Sequence, residues 1–337
     1  MKLINFFLTL VIATTITGLL KANEVNIYSY RQPELIQPLL ERFTAKTGIE
    51  TNVVFLNKGM VERLKLEDTR SPADVVLTVD ISRLQGLVNE GLVQAVENTN
   101  INSRIPANFR DPLGEWFALT LRARVIYASK DRVADGSIAN YESLADSQWQ
   151  GSICTRSGTH PYNLALISAV IIHHGEDVAR QWLEGVKANL ARRPQGNDRA
   201  QVKAIWAGEC NLSLGNTYYM GKMLDDPEQS EWAQSVKIIF PEFIDGGGTH
   251  VNVSGMALAK YSPNKAKAIK LMEFLASDEA QEIYAQVNHE YPVNPAVSVS
   301  DIVASWGTFN RDDLDLESIG MQRERALKIV TDLNFDG

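Results

Sequence analysis

The chain has 337 residues, a formal net charge of −8 and a hydrophobic fraction of 45%. An acidic balance without a basic stripe argues against nucleic acid as a partner. The length exceeds the roughly 100 to 150 residues that one domain core usually contains, so we expect two lobes.

The first 22 residues have the composition of a secretory signal peptide. Lys2 precedes an apolar stretch over residues 3–20, and a small residue follows at Ala22. An uncleaved membrane helix is the alternative, but the apolar run is short and interrupted. We therefore predict that residues 1–22 are removed. Their removal takes away Lys2 and Lys21, which leaves 315 residues with a formal charge of −10.

The chain contains two cysteines, Cys154 and Cys210. A signal peptide would send both to an oxidising compartment, where thiols tend to pair. We predict one disulfide between them. Two separate buried thiols remain the alternative, because the sequence does not give the distance between the two Cα atoms.

From Val25 onward, short β-rich runs alternate with helical patterns, which predicts an α/β fold with largely parallel sheets. The first helix is expected to begin at Pro33 and to end at Gly48. A long run of alternating apolar residues, 116–128, is the predicted hinge between lobes. Further strands are predicted at 25–30, 50–56, 73–79, 152–155, 211–214, 236–240 and 250–259, and further helices at 60–66, 82–89, 162–174, 177–190, 199–207, 264–276 and 278–287.

Three tyrosines stand at predicted strand-to-helix junctions. Tyr218 and Tyr219 follow strand 211–214, and Tyr162 opens the helix after strand 152–155. Loops at such junctions converge on the ligand clefts of α/β lobes. Adjacent tyrosines are nevertheless more often ordinary core and surface aromatics, so the pattern alone leaves both interpretations open.

Convergent phenols suit one kind of ligand. Ferric iron is a small, hard cation that prefers anionic oxygen, and only a strongly acidic metal displaces the proton of a phenol whose reference pKa is about 10. Three phenolates neutralise a trivalent ion and leave coordination positions for an anion or water. Arg31, at the end of the first strand, could hold such an anion through its planar guanidinium, or it could be a solvated surface charge.

Six short segments together carry a resemblance to a known family. They are Tyr-Ser-Tyr-Arg-Gln-Pro at 28–33, Ser-Pro-Ala-Asp-Val-Val at 71–76, Asp-Ile-Ser-Arg-Leu at 80–84, Cys-Thr-Arg-Ser at 154–157, Pro-Gln-Gly at 194–196 and Asn-Thr-Tyr-Tyr at 216–219. In combination they resemble the periplasmic ferric-iron-binding proteins of ABC transporters. The resemblance covers essentially all of the chain after residue 22. It implies a two-lobed, hinged, type II periplasmic binding protein fold.

The resemblance also implies a ligand set. The family's iron ligands correspond to Tyr162, Tyr218 and Tyr219. Many members have further ligands where this chain has Gln32 and Pro33, so it looks like the subgroup with three tyrosines. In that subgroup carbonate, another small anion or water completes the shell around Fe(3+).

Positive groups behind the ligands follow from the same resemblance. Arg31 and one of Arg122 and Arg124 are the expected second-shell groups, and the sequence does not choose between the last two. A bond between Cys154 and Cys210 would tie together the two ligand-bearing segments and so preorganise the site.

Function follows as an expectation. The N-terminal lobe is expected at 23–123 and 248–298, and the C-terminal lobe, with the tyrosines, at 124–247 and 299–337. Such a protein would capture ferric iron in the periplasm as a monomer and deliver it to an inner-membrane ABC permease. The alternative is a same-fold protein for a phosphonate, thiamine or a polyamine. No Gly-x-Ser-x-Gly or His-Glu-x-x-His motif suggests an enzyme.

Overall fold

The computed structural model describes residues 23–337, so the predicted signal peptide lies outside the described residues. Within them, no helix combines the length and apolar character that a membrane crossing requires. The strands of this part are β1 (Glu24–Ser29), β2 (Glu50–Phe55), β3 (Val75–Thr78), β4 (Val93–Gln94), β5 (Phe117–Ser129), β6 (Ile153–Cys154), β7 (Leu212–Asn216), β8 (Val236–Ile239), β9 (Val251–Ala259) and β10 (Tyr291–Pro292).

Helices alternate with these strands along most of the chain. The α-helices are α1 (Pro33–Thr47), α2 (Met60–Glu67), α3 (Ile81–Asn89), α4 (Thr99–Arg104), α5 (Pro161–His174), α6 (Glu176–Ala188), α7 (Asp198–Trp206), α8 (Thr217–Leu224), α9 (Ser230–Gln234), α10 (Lys265–Leu275), α11 (Asp278–Asn288), α12 (Asp301–Ala304), α13 (Leu316–Met321) and α14 (Arg323–Asp332). Short 3-10 helices lie at Asp68–Arg70, Ala107–Phe109, Glu142–Ala145 and Ser147–Trp149.

The first helix shows how local sequence sets these bounds. Pro33 occupies the first turn of α1, where its missing N–H costs nothing. Gly48 ends the helix in the left-handed region, at φ 68°, and its N–H donates to the carbonyl of Thr44. Both predicted ends of α1 are therefore confirmed.

The strands form one continuous path in the order β2-β1-β3-β9-β5-β7-β6, with β4 on β9 and with β8 and β10 on β5. Parallel pairing joins β1 to β2, β1 to β3 and β6 to β7, whereas β5 and β9 run antiparallel to every strand they pair with. The α/β class is confirmed, but the expectation of largely parallel sheets is wrong. Returning strands placed between the parallel groups make the sheet mixed.

Strand β5 links two groups of strands. Its first half pairs with β9, as in Ala123 with Val251, and its second half pairs with β7 and β8, as in Arg124 with Asn216. All of its residues are buried. The apolar run at 116–128 thus forms most of one long strand, while its action as a hinge stays a prediction.

Buried apolar side chains form separate clusters. One cluster packs around β1, β3 and β9 with helices α1, α3 and α10, and another packs around α5, α6 and α14. A third cluster contains both cysteines and the three tyrosines singled out in the sequence. More than one core agrees with the length argument, and the lobe boundaries given above stay a prediction.

Several features lie outside what the sequence patterns predicted, among them the short elements α4, α9, β4 and β10. Helices α12, α13 and α14 were not predicted either, because the first two are short and half of the residues of α14 are charged. Trp206, whose helical apolar position predicts burial, is 40% exposed. Its ring instead lies 6.3 Å from that of Trp232, at the surface.

Candidate metal centre

The three tyrosines meet in the structure. The hydroxyl oxygens of Tyr162 and Tyr218 are 3.3 Å apart, and the ring centroids of Tyr218 and Tyr219 are 4.2 Å apart. None of the three is more than 7% exposed. The junctions that the sequence singled out therefore bring three phenols into one buried cluster.

All three tyrosines lie in the first turn of a helix. Tyr162 is the second residue of α5, where Pro161 opens the helix and the Nδ1 of His160 accepts a hydrogen bond from the Tyr162 N–H at 3.2 Å. Tyr218 and Tyr219 lie in the first turn of α8, which begins directly after β7. Because β6 and β7 are adjacent parallel strands, the segments that follow them leave the sheet at the same edge.

A disulfide joins the two segments. Cys154 and Cys210 are bonded, with Cα atoms 5.8 Å apart, which confirms the predicted pair. Cys154 ends β6, and Cys210 lies just before β7. The bond therefore crosses between the strands that precede the tyrosines.

Burial governs the phenol chemistry. It raises the pKa of Tyr218 well above its ordinary value, and the neighbouring Tyr162 and Tyr219 raise it further, while Arg122 opposes them. Burial also raises the pKa of Tyr219, with Tyr162 and Asp198 adding to the effect and Arg156 opposing it. Both phenols accordingly keep their protons at neutral pH unless a strongly acidic cation displaces them.

The arginines expected behind the ligands have different surroundings. Arg31 is buried in an ion pair with Glu290 at 2.6 Å, and it also donates to Ser254. Its charge is therefore already neutralised within the protein. Arg122 donates from Nη1 to Ser254 at 3.1 Å, and its guanidinium carbon lies 5.3 Å from the Tyr162 ring centroid.

Arg122 and Arg124 also differ in their remaining hydrogen bonds. The Nε and Nη2 of Arg122 are buried without a protein partner. Arg124 donates to Asp198 at 2.8 Å, to Asn216 at 3.1 Å and to Asn163 at 2.7 Å. Arg122 thus keeps two unpartnered donors beside the phenols, whereas Arg124 leaves only its Nε unpartnered and uses both terminal nitrogens to bind the protein around it.

The sequence interpretation missed Arg156 and Asp198 as parts of this site. The guanidinium of Arg156 lies 5.1 Å from the Tyr162 ring and pairs with the fully buried Asp198 at 2.9 Å. Burial disfavours the charged form of Arg156, but Asp198 and the three tyrosines hold its pKa above the ordinary value. Its position in the sequence could have indicated Arg156, because it follows β6 by two residues just as Arg31 follows β1.

His160, His173 and His174 are held by contacts other than the three phenol hydroxyls. Burial, reinforced by Arg156, lowers the pKa of His160 to about 2, so its ring is neutral. His173 pairs with Asp245 and Asp312, and His174 pairs with Glu142. Within residues 23–337, no cluster of three or more His, Cys, Asp or Glu side chains has the arrangement to hold a metal.

A known protein family matches most of this chain. The family described as bacterial extracellular solute-binding protein matches residues 70–315. The chain belongs to this family. Its curated relatives include iron uptake protein A1 of Synechocystis sp., which is 41% identical over 93% of this chain and 87% of that protein. The close relatives are solute-binding transport proteins rather than enzymes.

Solved structures share the fold of this solute-binding protein. The apo ferric ion-binding protein A of Pasteurella haemolytica is 51% identical, covers 94% of this chain and 99% of its own, and has a TM-score of 0.91. A Trichodesmium protein solved in complex with iron and citrate ligands is 39% identical, covers 93% and 99%, and has a TM-score of 0.86. The predicted two-lobed periplasmic binding protein fold is therefore confirmed.

Gly215 in β7 leaves the space that the ring of Tyr127 occupies, and this close packing gives a first prediction. A Cβ at this position would lie 1.9 Å from the Tyr127 ring, whose hydroxyl donates to the carbonyl of Asn216. Gly215→Ala should therefore lower the free energy of unfolding by about 1–3 kcal/mol through overpacking. Urea unfolding measures the change. Gly86→Ala, in an open position of α3, is the control and should be neutral or stabilising. Equal stability of the two variants would contradict the prediction.

Proposed function

We propose that this protein binds ferric iron through the phenolate oxygens of Tyr162, Tyr218 and Tyr219. The observation that carries the proposal is the meeting of three buried phenols at two helix starts, with hydroxyls as close as 3.3 Å. A trivalent hard cation neutralises three phenolates, whereas softer metals prefer sulfur or imidazole ligands. The iron-binding relatives support the same ligand.

A small anion completes the shell in this proposal. Arg122 supplies the charge, because its Nε and Nη2 lack protein partners while Arg31 is neutralised by Glu290. The buried Nδ2 of Asn216 also lacks a partner and adds a neutral donor. Carbonate or a carboxylate matches the planar guanidinium in geometry and charge. The Trichodesmium relative, solved with iron and citrate, supports an anion beside the metal.

The biological setting follows from the family. Solute-binding proteins of this kind deliver iron to an ABC permease. We infer that this chain is a periplasmic monomer that loses residues 1–22, closes its cleft over the metal and passes the iron to an inner-membrane permease. The same-fold alternatives, a phosphonate, thiamine or a polyamine, give no role to three converging phenols.

Visible spectroscopy tests the ligand assignment directly. Metal-free protein mixed with a ferric salt in bicarbonate buffer should develop a broad phenolate-to-iron charge-transfer band. Tyr219→Phe removes one phenolate oxygen and should weaken and shift that band. Tyr261→Phe is the control, since Tyr261 is a surface residue, 40% exposed, outside the cluster that contains the three ligands. No band and no bound iron in the wild type would contradict the proposal.

Iron binding should release protons. A tyrosine phenol is protonated at neutral pH, and burial raises the pKa of Tyr218 and Tyr219 further, so roughly three protons leave for each ferric ion bound. Affinity should consequently fall as pH falls from neutral to about 4, because protons compete for the same oxygens. Proton release in weak buffer measures the count. Tyr219→Phe should release about one proton fewer, and an affinity independent of pH would rule out phenolate ligands.

The role of Arg122 predicts an anion dependence. Wild-type ferric affinity should rise when bicarbonate is added to anion-poor buffer, whereas Arg122→Gln should bind more weakly and respond little, because the amide carries no charge. Arg311→Gln is the matched control, since Arg311 also lies over an aromatic ring, that of Phe109, at the surface. A full bicarbonate response in Arg122→Gln would exclude Arg122 as the anion-binding group.

A further inference from the structure

One buried carboxylate joins every segment that builds the tyrosine site. Asp198 is fully buried in the first turn of α7. Its Oδ2 accepts from Arg124 at 2.8 Å and from the N–H of Asn216 at 2.9 Å, and its Oδ1 accepts from Arg156 at 2.9 Å. These partners come from β5, from the residue before α8, and from the loop before α5.

Arg124 extends the same network to both tyrosine segments. It donates to Asn163, which follows Tyr162 directly, and to Asn216, two residues before Tyr218. Asn163 in turn donates to the carbonyls of Arg156 and Ser157, both at 3.1 Å. The Arg124–Asp198 pair therefore binds residues immediately beside the phenols without using the phenols themselves.

We propose that Asp198, through Arg124, Arg156 and the Asn216 backbone, is the positioning residue that holds the three tyrosines in the geometry required for iron. This inference rests on the proposed function. In this proposal Arg124 supports the tyrosine segments through its hydrogen bonds, and Arg122, not Arg124, binds the anion. Groups behind metal ligands commonly act in this way, by orienting the ligands that touch the metal.

The charges of the network explain why a carboxylate is needed. Two buried guanidinium groups approach Asp198, and without its charge they would repel each other in a medium that screens poorly. Burial penalises ionisation of Asp198, but Arg124 and Arg156 hold its pKa below the ordinary value, so it is charged at neutral pH. In Asp198→Asn, the side-chain NH₂ would face one of the groups that now donate to the carboxylate. Two donors cannot bond to each other, so that hydrogen bond would be lost and its former partner could move.

The test compares Asp198→Asn with Asp74→Asn. Asp74 is also fully buried and also joins separate segments, accepting from Asn26, Ser262 and Asn264 in the cluster around β1 and β3. Its loss should destabilise the fold without touching the tyrosine segments. Each variant is purified metal-free, checked by far-UV circular dichroism, unfolded in urea and titrated with ferric salt in bicarbonate buffer.

Both variants should unfold at lower urea concentration than the wild type. Asp198→Asn should also lose roughly 10- to 100-fold in ferric affinity and show a shifted charge-transfer band, while Asp74→Asn should keep the wild-type band and affinity. Wild-type band and affinity in folded Asp198→Asn would overturn the proposal and leave Asp198 a structural residue only.

A second variant covers the case in which Asp198→Asn does not fold. Asp198→Glu keeps the charge but changes the reach by one methylene, and it should shift the band and weaken ferric binding. Unchanged binding in a folded Asp198→Glu would overturn the positioning role. Absence of any band in the wild type would instead mean that the proposed function itself has failed, so the two failures are distinguishable.

Discussion

Three phenol hydroxyls lie buried together in this structure, and burying hydroxyl groups costs free energy unless partners satisfy them. Tyr162 and Tyr218 satisfy each other in part, but their burial makes both sensitive to small displacements. A site of this kind needs rigid support. The surrounding structure supplies it through the adjacent strands β6 and β7, through Gly215, which admits the ring of Tyr127, and through the network around Asp198.

Charge is distributed unevenly around these phenols. Glu290 neutralises Arg31, and the single carboxylate of Asp198 is shared between Arg124 and Arg156. The remaining positive charge therefore lies beside the tyrosines, with Arg122 presenting free donors. Three phenolates and a trivalent cation would be neutral as a unit, so the excess positive charge favours an additional anion.

Much of the fold followed from local sequence chemistry. Pro33 and Gly48 set the ends of α1, and the alternation over 116–128 gave a long buried strand. The direction of strand pairing did not follow, because register and partner choice depend on contacts between residues far apart in the chain, as between Arg122 and Asn252. Periodicity is a local signal and contains no information about such partners.

The site was predicted unevenly for a similar reason. The tyrosines could be found because junctions and a family resemblance mark them. The different surroundings of Arg122 and Arg124 could not be predicted, because two arginines two residues apart on one strand look alike in sequence, and only their hydrogen-bond partners distinguish them. The part of Asp198 in the site could not be predicted from the sequence, since a charged residue at a helix start is ordinarily exposed to solvent. Its full burial is a property of the assembled structure.

The disulfide has a consequence for timing. Cys154 and Cys210 are 56 residues apart in sequence, and the bond between them closes a loop whose entropy in the unfolded chain is worth about 4 kcal/mol. In a chain whose cysteines are still thiols, only the intervening chain and non-covalent contacts join the segments bearing Tyr162 and Tyr218. Before oxidation, the tyrosine cluster would therefore be held by packing and by the network around Asp198 alone, and it would be less ordered than in the oxidised protein.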